Sequence, residues 1–200
     1  VFSQTELQKL TTSMENVEAI LSRAMLPNDE VKIRSFQPGD IGYVAHLHGR
    51  FYEKEYRFGP IFEYYVMKGL TEFMCNKEGG ELWVAEVNGQ MVGSIAISKA
   101  SETLAQLRWY VLDGNYHGLG IGRRLIETAL SFCRQQGYKQ VFLWTVNILH
   151  RARVLYQKNG FKLTEQKVNF EWTGTELIEE RWDLELTNKY PKKHQSSSIT

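Results

Sequence analysis

Three glycines give the strongest sign of chemistry in this 200-residue chain. Gly118, Gly120 and Gly122 stand between an apolar, strand-like run, Leu104–Leu112, and a helical pattern that follows them. Glycine lets the oxygen atoms of a ligand approach the main chain closely, and the first N–H groups of a helix lack partners within it. No Ser, Thr or Asp directly precedes the helix to cap those groups, so they are available to an anion such as a pyrophosphate. The alternative is a glycine-rich turn that only packs tightly.

A second group of residues follows the glycines in a fixed order. It consists of an apolar run at 141–146, the pair Leu155-Tyr156 and the pair Gly160-Phe161. A dinucleotide-binding loop is a competing interpretation, but that motif has the spacing G-x-G-x-x-G with an acidic residue about 20 residues later. The spacing here is G-x-G-x-G and lies late in the chain, which argues against dinucleotide binding.

Composition limits the classes of protein to which the chain can belong. Its length favours one globular domain, and 42% apolar with 24% charged residues is typical of a soluble protein. A net charge of +1 argues against a nucleic-acid surface, and no membrane-spanning or signal-peptide pattern occurs. Cys75 and Cys133 lie in apolar helical patterns, which predicts buried thiols and a cytoplasmic location. We predict no metal site. A start at Val1 rather than Met is expected of a fragment.

The first 28 residues are predicted to form a separate N-terminal helix over residues 3–24. Ser3 and Glu6 have the spacing of a capping box. The apolar residues that follow are spaced by three and four, as in a coiled-coil seam: Leu7, Leu10, Met14, Val17, Leu21 and Ala24. This helix has three interpretations: it packs on the main domain, it forms a homodimer seam, or it is the last helix of an upstream module. Residues 29–187 then form the main domain, and 188–200 a polar tail.

Alternating strand and helix patterns fill the main domain. Strands are predicted at 31–36, 81–87, 91–97, 104–112, 141–146, 161–172 and 177–186, and helices at 38–56 and 60–75. Asn88-Gly89 is a strong hairpin signal, because both residues tolerate positive φ. Simple alternation in the 104–112 strand places Arg108 and Tyr110 on one side and Trp109 on the other.

The two groups of residues together resemble the GNAT superfamily of N-acetyltransferases. Its acyl-CoA-binding signature is (Arg/Gln)-x-x-Gly-x-(Gly/Ala), which Gly120 and Gly122 match, whereas His117 replaces the Arg or Gln. The resemblance implies an α/β fold with a mixed, mostly antiparallel sheet of about seven strands and helices on both faces. It also implies that the central strands splay apart and that acetyl-CoA is the co-substrate.

The family pattern carries binding roles over to individual positions. Main-chain groups of Tyr110, Val111 and Leu112 are expected to hold the pantetheine arm. The pyrophosphate is expected at the loop and helix start, which comprise His117, Gly118, Leu119, Gly120, Ile121, Gly122, Arg123 and Arg124. Many members have an Asn where Leu149 stands, so Asn147 or His150 is expected to bond the pantetheine amide instead.

Tyr156 matches the family's usual proton donor to the coenzyme A sulfur. The alternative is a core tyrosine that packs the final helix. The catalytic base is open, because the position of the base in histone-type members is Gln106, and an amide cannot accept the proton. Glu102, Glu55 and His48, acting through water, are the substitutes that the sequence offers.

A closer resemblance is to the acetyltransferase half of fused MarR-type regulators. Its markers are Arg34 to Gly42, the helix with His48, Tyr52 and Glu55, Ala105 to Arg108, and Leu143 to Thr145 with Leu149-His150. The first helix would then be the remnant of a regulator's last helix, and these residues alone predict no nucleic-acid binding. We therefore expect transfer of an acetyl group to a primary amine of a small molecule or protein. A sensor module that binds acyl-CoA or an effector without turnover is the alternative, and a structural interaction protein the third.

Overall fold

A computed structural model describes residues 31–186 continuously and residues 3, 4, 6, 9–11, 13, 14 and 17 before them. From residue 4 on, those earlier residues are helical. The main-chain N–H of Ser3 donates to Glu6 Oε2 at 2.8 Å and that of Glu6 to Ser3 Oγ at 3.3 Å, which confirms the capping box. Leu10, Met14 and Val17 of the predicted seam are exposed. The rest of the predicted helix and the polar tail lie outside the described residues.

Seven strands and four α-helices make up residues 31–186. The strands are β1 (Val31–Ser35), β2 (Glu81–Val87), β3 (Gln90–Lys99), β4 (Leu104–Leu112), β5 (Gln140–Val146), β6 (Lys162–Asn169) and β7 (Leu177–Glu185). The helices are α1 (Asp40–Tyr56), α2 (Pro60–Cys75), α3 (Ile121–Gln136) and α4 (His150–Lys158). The seven strands form one sheet in the order β1-β2-β3-β4-β5-β7-β6, in which every neighbouring pair is antiparallel except β4 and β5. The predicted fold class is confirmed.

The parallel pair at the centre of the sheet separates part-way along its length. Pairing runs from Leu104 opposite Gln140 to Leu107 opposite Leu143 and stops there. β5 continues to Val146 beside β7, and β4 continues to Leu112 beside β3. The two strands therefore diverge into an opening, as the family resemblance implies.

A β-bulge in β4 lies at the start of this opening. Trp109 has a φ of +46°, and the register between β3 and β4 shifts between Ser94 and Ala96. The hydroxyl of Ser94 donates to the carbonyl of Trp109 at 2.8 Å and so supports the bulge. Trp109 packs with α1 and α2, whereas Tyr110 packs against the opposite core. The predicted simple alternation is therefore wrong beyond Arg108, because the bulge turns Trp109 to the other face.

Helices cover both faces of the sheet. α1 and α2 bury Val44, Val66 and Leu70 against one face. α3 packs on the other face through a stripe of buried residues at helical spacing: Leu125, Ile126, Ala129, Leu130 and Cys133. Burial of this stripe, rather than the propensity of the chain, is the main source of the helix's stability.

The turn at Asn88-Gly89 and the burial of Cys133 are as predicted. Asn88 and Gly89 have φ values of 51° and 78°, as the hairpin turn requires. Cys133 is buried and both cysteines are free thiols, but Cys75 is exposed at the end of α2, so the prediction of two buried thiols is wrong for it. Cys75 lies among apolar residues at helical spacing, but it is the last residue of α2 and is exposed there. Within the described part of the chain, no helix is long and apolar enough to cross a membrane, and no cluster of metal ligands is found.

Replacing Leu125 by Ala tests the packing of α3. The side chain is fully buried, so the variant loses its transfer free energy and leaves a cavity. We expect a loss of about 2–5 kcal/mol in the free energy of unfolding, measured by urea denaturation. Gln135→Ala, at an exposed position of the same helix, is the control and is expected to change stability by less than about 0.5 kcal/mol. Equal stability of the two variants would contradict this packing.

Candidate active site

The glycine loop ends in a helix start that no side chain caps. Gly120 is the N-cap residue of α3 in the left-handed conformation, with φ +76°, and it makes no side-chain capping hydrogen bond. The first N–H groups of the helix are therefore available as donors, and they carry the partial positive charge of a helix start. A Cβ at Gly122 would overlap the hydroxyl of Tyr110, so this position requires glycine for the close approach of β4.

Charged side chains around the loop are held by the protein itself. Arg123 Nε donates to Glu127 at 2.9 Å, and Arg124 Nη2 donates to the carbonyl of Val31 at 3.0 Å. His117 bridges two elements: its Nε2 lies 3.1 Å from the carbonyl of Leu112, and its Nδ1 lies 2.9 Å from Nη1 of Arg151. Because a guanidinium only donates, Nδ1 accepts and Nε2 donates, which defines the neutral tautomer. Sequence reasoning missed Arg151, which carries no motif signal of its own.

A cavity of about 180 Å³ occupies the opening between β4 and β5. Aromatic rings make up much of its wall: Tyr52, Phe58, Phe62, Tyr65, Trp109, Tyr110, Trp144, Tyr156 and Trp172. Its polar lining includes His48, Gln106, Arg108 and Thr145. Within residues 31–186, no Asp or Glu lines it. This is a concave, mostly apolar site with a few polar groups, as small-molecule sites usually are.

Tyr156 lies on α4 and faces this cavity. Its ring is 6.2 Å from that of Tyr110, centroid to centroid, and its residue is 5% exposed. Burial raises the pKa of Tyr156 well above its usual value, with the neighbouring Tyr52 and Tyr110 adding to the effect. The phenol therefore stays protonated at neutral pH. Its hydroxyl forms no hydrogen bond with another residue of 31–186, so its proton is available to a ligand in the cavity.

An ion pair anchors the helix that carries Tyr156. Arg153 Nε lies 3.0 Å from Oε2 of Glu180, a residue of β7 that is 1% exposed. The two atoms are in contact but not aligned as a hydrogen bond, whereas Trp182 Nε1 donates to the same oxygen at 3.1 Å. The buried carboxylate of Glu180 thus has one ionic partner, Arg153, and one hydrogen-bond donor, Trp182, and its contact with Arg153 ties α4 to the sheet.

His48 is the predicted base candidate that reaches the cavity. Its Nδ1 lies 2.9 Å from the carbonyl of Val44 and donates to it, because a carbonyl can only accept. Nε2 therefore carries the lone pair. Burial lowers the pKa of His48 to about 4, partly offset by the bond to Val44, so the imidazole is neutral at pH 7. It also stacks on Tyr52, with centroids 6.0 Å apart.

The other predicted base candidates lie away from the cavity. Glu55 is exposed on α1 and does not contribute to the lining. Glu102 lies between β3 and β4, where its 87% exposed side chain contacts Lys99 at 2.6 Å. A spacing of seven residues puts Glu55 on the same face of α1 as His48, but the last turn of the helix extends past the cavity.

The residues expected to bind pantetheine lie on β4, just after β5 and at the start of α4. Tyr110, Val111 and Leu112 follow the point at which β4 leaves β5, so this edge of β4 is not covered by β5. Asn147 is tied to β7 by its main chain and by its Oδ1, which accepts from the N–H of Ile178 at 3.3 Å. His150 is exposed at the first residue of α4.

Replacing Gly122 by Ala tests the close approach of the helix to β4. The new methyl group overlaps the hydroxyl of Tyr110, so we expect the variant to lose about 1–3 kcal/mol of unfolding free energy. Tyr110→Phe removes the hydroxyl, and the next ring atom lies 3.5 Å from the added Cβ, an ordinary contact. The double variant should therefore recover most of the stability in a thermal melt. Equal losses in the single and double variants would show that the hydroxyl is not the obstacle.

The buried imidazole of His48 predicts a pH dependence of stability. Its pKa is about 4 in the folded protein and near 6.5 when unfolded, so the unfolded state binds the proton first as the pH falls. The neutral form of His48 therefore contributes fully to the free energy of unfolding above pH 6.5. As the pH falls from there toward 4, the free energy of unfolding decreases by about 3 kcal/mol in all. In His48→Gln this part of the decline is expected to vanish, and in the exposed control His46→Gln it should persist. Parallel pH profiles for the wild type and His48→Gln would refute the assignment.

The chain is similar in sequence to known acetyltransferases. A family model described as the acetyltransferase (GNAT) family matches residues 43–161. N-acetyltransferase 8B of Homo sapiens is 36% identical over 111 residues, which are 53% of this chain and 49% of that protein. The chain thus spans about half the length of the curated relatives it matches.

Solved structures show the same fold. Ard1 from Thermoplasma volcanium is 26% identical, with a TM-score of 0.61 over 76% of this chain and 96% of that one. A GNAT family acetyltransferase from Elizabethkingia anophelis with acetyl-CoA bound is 19% identical, with a TM-score of 0.56 over 79% of this chain and 99% of that one. The family model covers more than half of the sequence and spans the glycine loop and Tyr156. The chain therefore belongs to the acetyltransferase (GNAT) family.

Proposed function

We propose that the protein is an acetyl-CoA-dependent N-acetyltransferase that acts on a primary amine. The observation that carries the proposal is the opening between β4 and β5, with the uncapped start of α3 at one end and the hydroxyl of Tyr156 inside it. Relatives named N-acetyltransferases and a similar fold with acetyl-CoA bound support it.

The residues around the opening fit acetyl-CoA. The main-chain N–H groups from Leu119 to Arg123 would hold the pyrophosphate, because they lie at a helix start without a side-chain cap. The N–H of Arg124 already donates to the carbonyl of Gly120 at 3.1 Å. The edge of β4 from Tyr110 to Leu112 would pair with the amides of the pantetheine arm. When bound, acetyl-CoA supplies an acetyl thioester, which is activated toward amines.

Acetyl transfer requires a neutral amine and a protonated leaving group. The amine nitrogen forms a bond to the carbonyl carbon as the carbon–sulfur bond breaks. Tyr156 donates its proton to the departing sulfur and regains one from solvent. The proton of the amine leaves to water, because an imidazole with a pKa of about 4 is a weak base. His48 Nε2 instead accepts a hydrogen bond from the amine and orients its lone pair.

Titration with acetyl-CoA and a thiol-release assay with a panel of primary amines test this function. Tyr156→Phe is expected to lower kcat by about 10²–10⁴-fold, the usual contribution of an acid–base group, with the Kd for acetyl-CoA unchanged. Tyr64→Phe, which alters an exposed ring of α2 outside the cavity, is the matched control and should keep full activity. Equal kcat values for Tyr156→Phe and the wild type would remove Tyr156 from the mechanism.

A sensor module of a MarR-type regulator is the second candidate function. Gln106 lines the cavity where histone-type members have a base, and Leu10, Met14 and Val17 form an exposed apolar row on a helical segment. Such a row could be buried against a second copy of the chain in a homodimer or against an upstream regulatory module. The cytoplasmic location stays a prediction from sequence. Micromolar binding of acetyl-CoA without thiol release from any amine would favour the sensor over the enzyme.

A further inference from the structure

Arg108 lies where the bulge of β4 turns the strand toward α1 and α2. Its guanidinium stacks over the ring of Trp109 at 4.3 Å. It also lies across Gly69 of α2, where a Cβ would meet its Nη2 at 2.5 Å. The side chain is partly buried and lines the cavity. A side chain at Gly69 would displace this group, so helix and strand together create the space in which the cation lies.

The charge of Arg108 has no acidic partner at contact distance among residues 31–186. Over residues 31–186, it forms no hydrogen bond and no salt bridge. Other partly buried arginines behave differently: Arg34 pairs with Asp40 at 2.6 Å, and Arg181 with Asp183 at 2.9 Å. Burial lowers the pKa of Arg108, and the more distant charge of Glu72 partly offsets this effect. Arginine nevertheless stays charged in proteins, so an unpaired cation faces the cavity at a cost in desolvation.

Thr145 gives an independent observation on the other side of the opening. It lies on β5, is 8% exposed, and its Oγ1 is buried without a hydrogen-bond partner. Buried hydroxyls in native proteins are almost always bonded, so an unpartnered one that lines a cavity indicates a ligand. Thr145 can donate to an anion or accept from an amine.

Nothing in the lining opposes an anion. Its members are aromatic and aliphatic residues with His48, Gln106, Arg108 and Thr145. Gln106 is neutral where an acid would repel a carboxylate. Glu72 and Glu78 share with Arg108 the lining of a neighbouring pocket, and Glu171 is bonded to Tyr65. All three carboxylates lie outside the lining of this cavity. If the acceptor carried another cationic group besides its amine, that group would be repelled by Arg108, and no carboxylate of the lining would offset the repulsion. A carboxylate of the acceptor would instead neutralise the charge of Arg108.

We infer that Arg108 binds a carboxylate of the acceptor, so that the acceptor is a small molecule with a primary amine, a carboxylate and an aromatic or other apolar group. The inference rests on the proposed function for the amine. The carboxylate and the apolar group follow from the guanidinium and the aromatic wall. A guanidinium binds a carboxylate through two parallel hydrogen bonds, which also fixes the orientation of the acceptor.

Matched pairs of amines test the role of the carboxylate. Phenylalanine and phenethylamine, and tryptophan and tryptamine, differ only in that group. The wild type is expected to show a kcat/KM at least about tenfold higher for the member with the carboxylate. In Arg108→Gln this preference should disappear through a raised KM for the amino acid, with little change for the simple amine. Arg50→Gln, an exposed arginine of α1 outside the lining, should keep it. Equal or better turnover of the simple amines by the wild type would overturn the inference and leave the proposed function intact.

A binding experiment separates the two proposals when no amine in the panel is acetylated. 3-Phenylpropionate has the ring and the carboxylate but no amine, and its binding is followed by quenching of the tryptophans in the cavity wall. We expect saturable quenching in the wild type and in Arg50→Gln, and at least about tenfold weaker binding in Arg108→Gln. Arg108→Lys, which keeps the charge but loses the planar fork, should fall between them. Absence of quenching in the wild type, or equal binding by Arg108→Gln, would overturn the carboxylate site.

Discussion

The loss of pairing between β4 and β5 beyond Leu107 and Leu143 is the constraint on which the site depends. Main-chain N–H and C=O groups need partners, and a sheet that opens at its centre leaves such groups without a strand beside them. The rest of the sheet tolerates the gap because β5 stays paired with β7 over its whole length and β4 with β3. The opening is therefore stable as a feature of the fold, and an extended ligand with amides of its own can satisfy the exposed edge.

The bulge at Trp109 gives the opening two chemically different sides. Without it, strict alternation would place Arg108 and Tyr110 on the same face of β4. The positive φ of Trp109, supported by Ser94, directs Arg108 and Trp109 toward α2 and Tyr110 toward Tyr156. One face of the strand thus meets a glycine-supported cation and the other a protonated phenol. A single irregular residue separates the acceptor side from the side at which the leaving sulfur would lie.

Much of this architecture could be predicted from the sequence. Hydrophobic periodicity gave α2 and β4 with their observed bounds, and Asn88-Gly89 gave the hairpin, because these signals are local. Gly120 and Tyr156 could be identified because the family pattern repeats them in order. Predictions that needed tertiary information fared less well. The bulge leaves no trace in a pattern of period two, and the exposure of Cys75 depends on where α2 ends.

The three residues predicted as candidates for the base illustrate the same limit. Glu55, Glu102 and His48 were equivalent in the sequence, since each is a titratable residue near a predicted element. The structure distinguishes them: the packing of α1 buries His48 in the cavity wall and leaves Glu55 outside the lining, and Glu102 lies exposed between β3 and β4. The missing partner of Arg108 is likewise invisible in a linear sequence, because it is a property of what surrounds the side chain.

The two halves of the opening also differ in the kind of group that lines them. The half assigned to the thioester relies on main-chain groups, at the start of α3 and along β4, which most substitutions leave unchanged. The half assigned to the acceptor relies on side chains from α1, α2, β4 and β5, each of which a point mutation can replace. Such a division allows the acceptor specificity to diverge rapidly during evolution while the machinery for the common donor persists. It also marks the aromatic wall, rather than the glycine loop, as the place to redesign the enzyme.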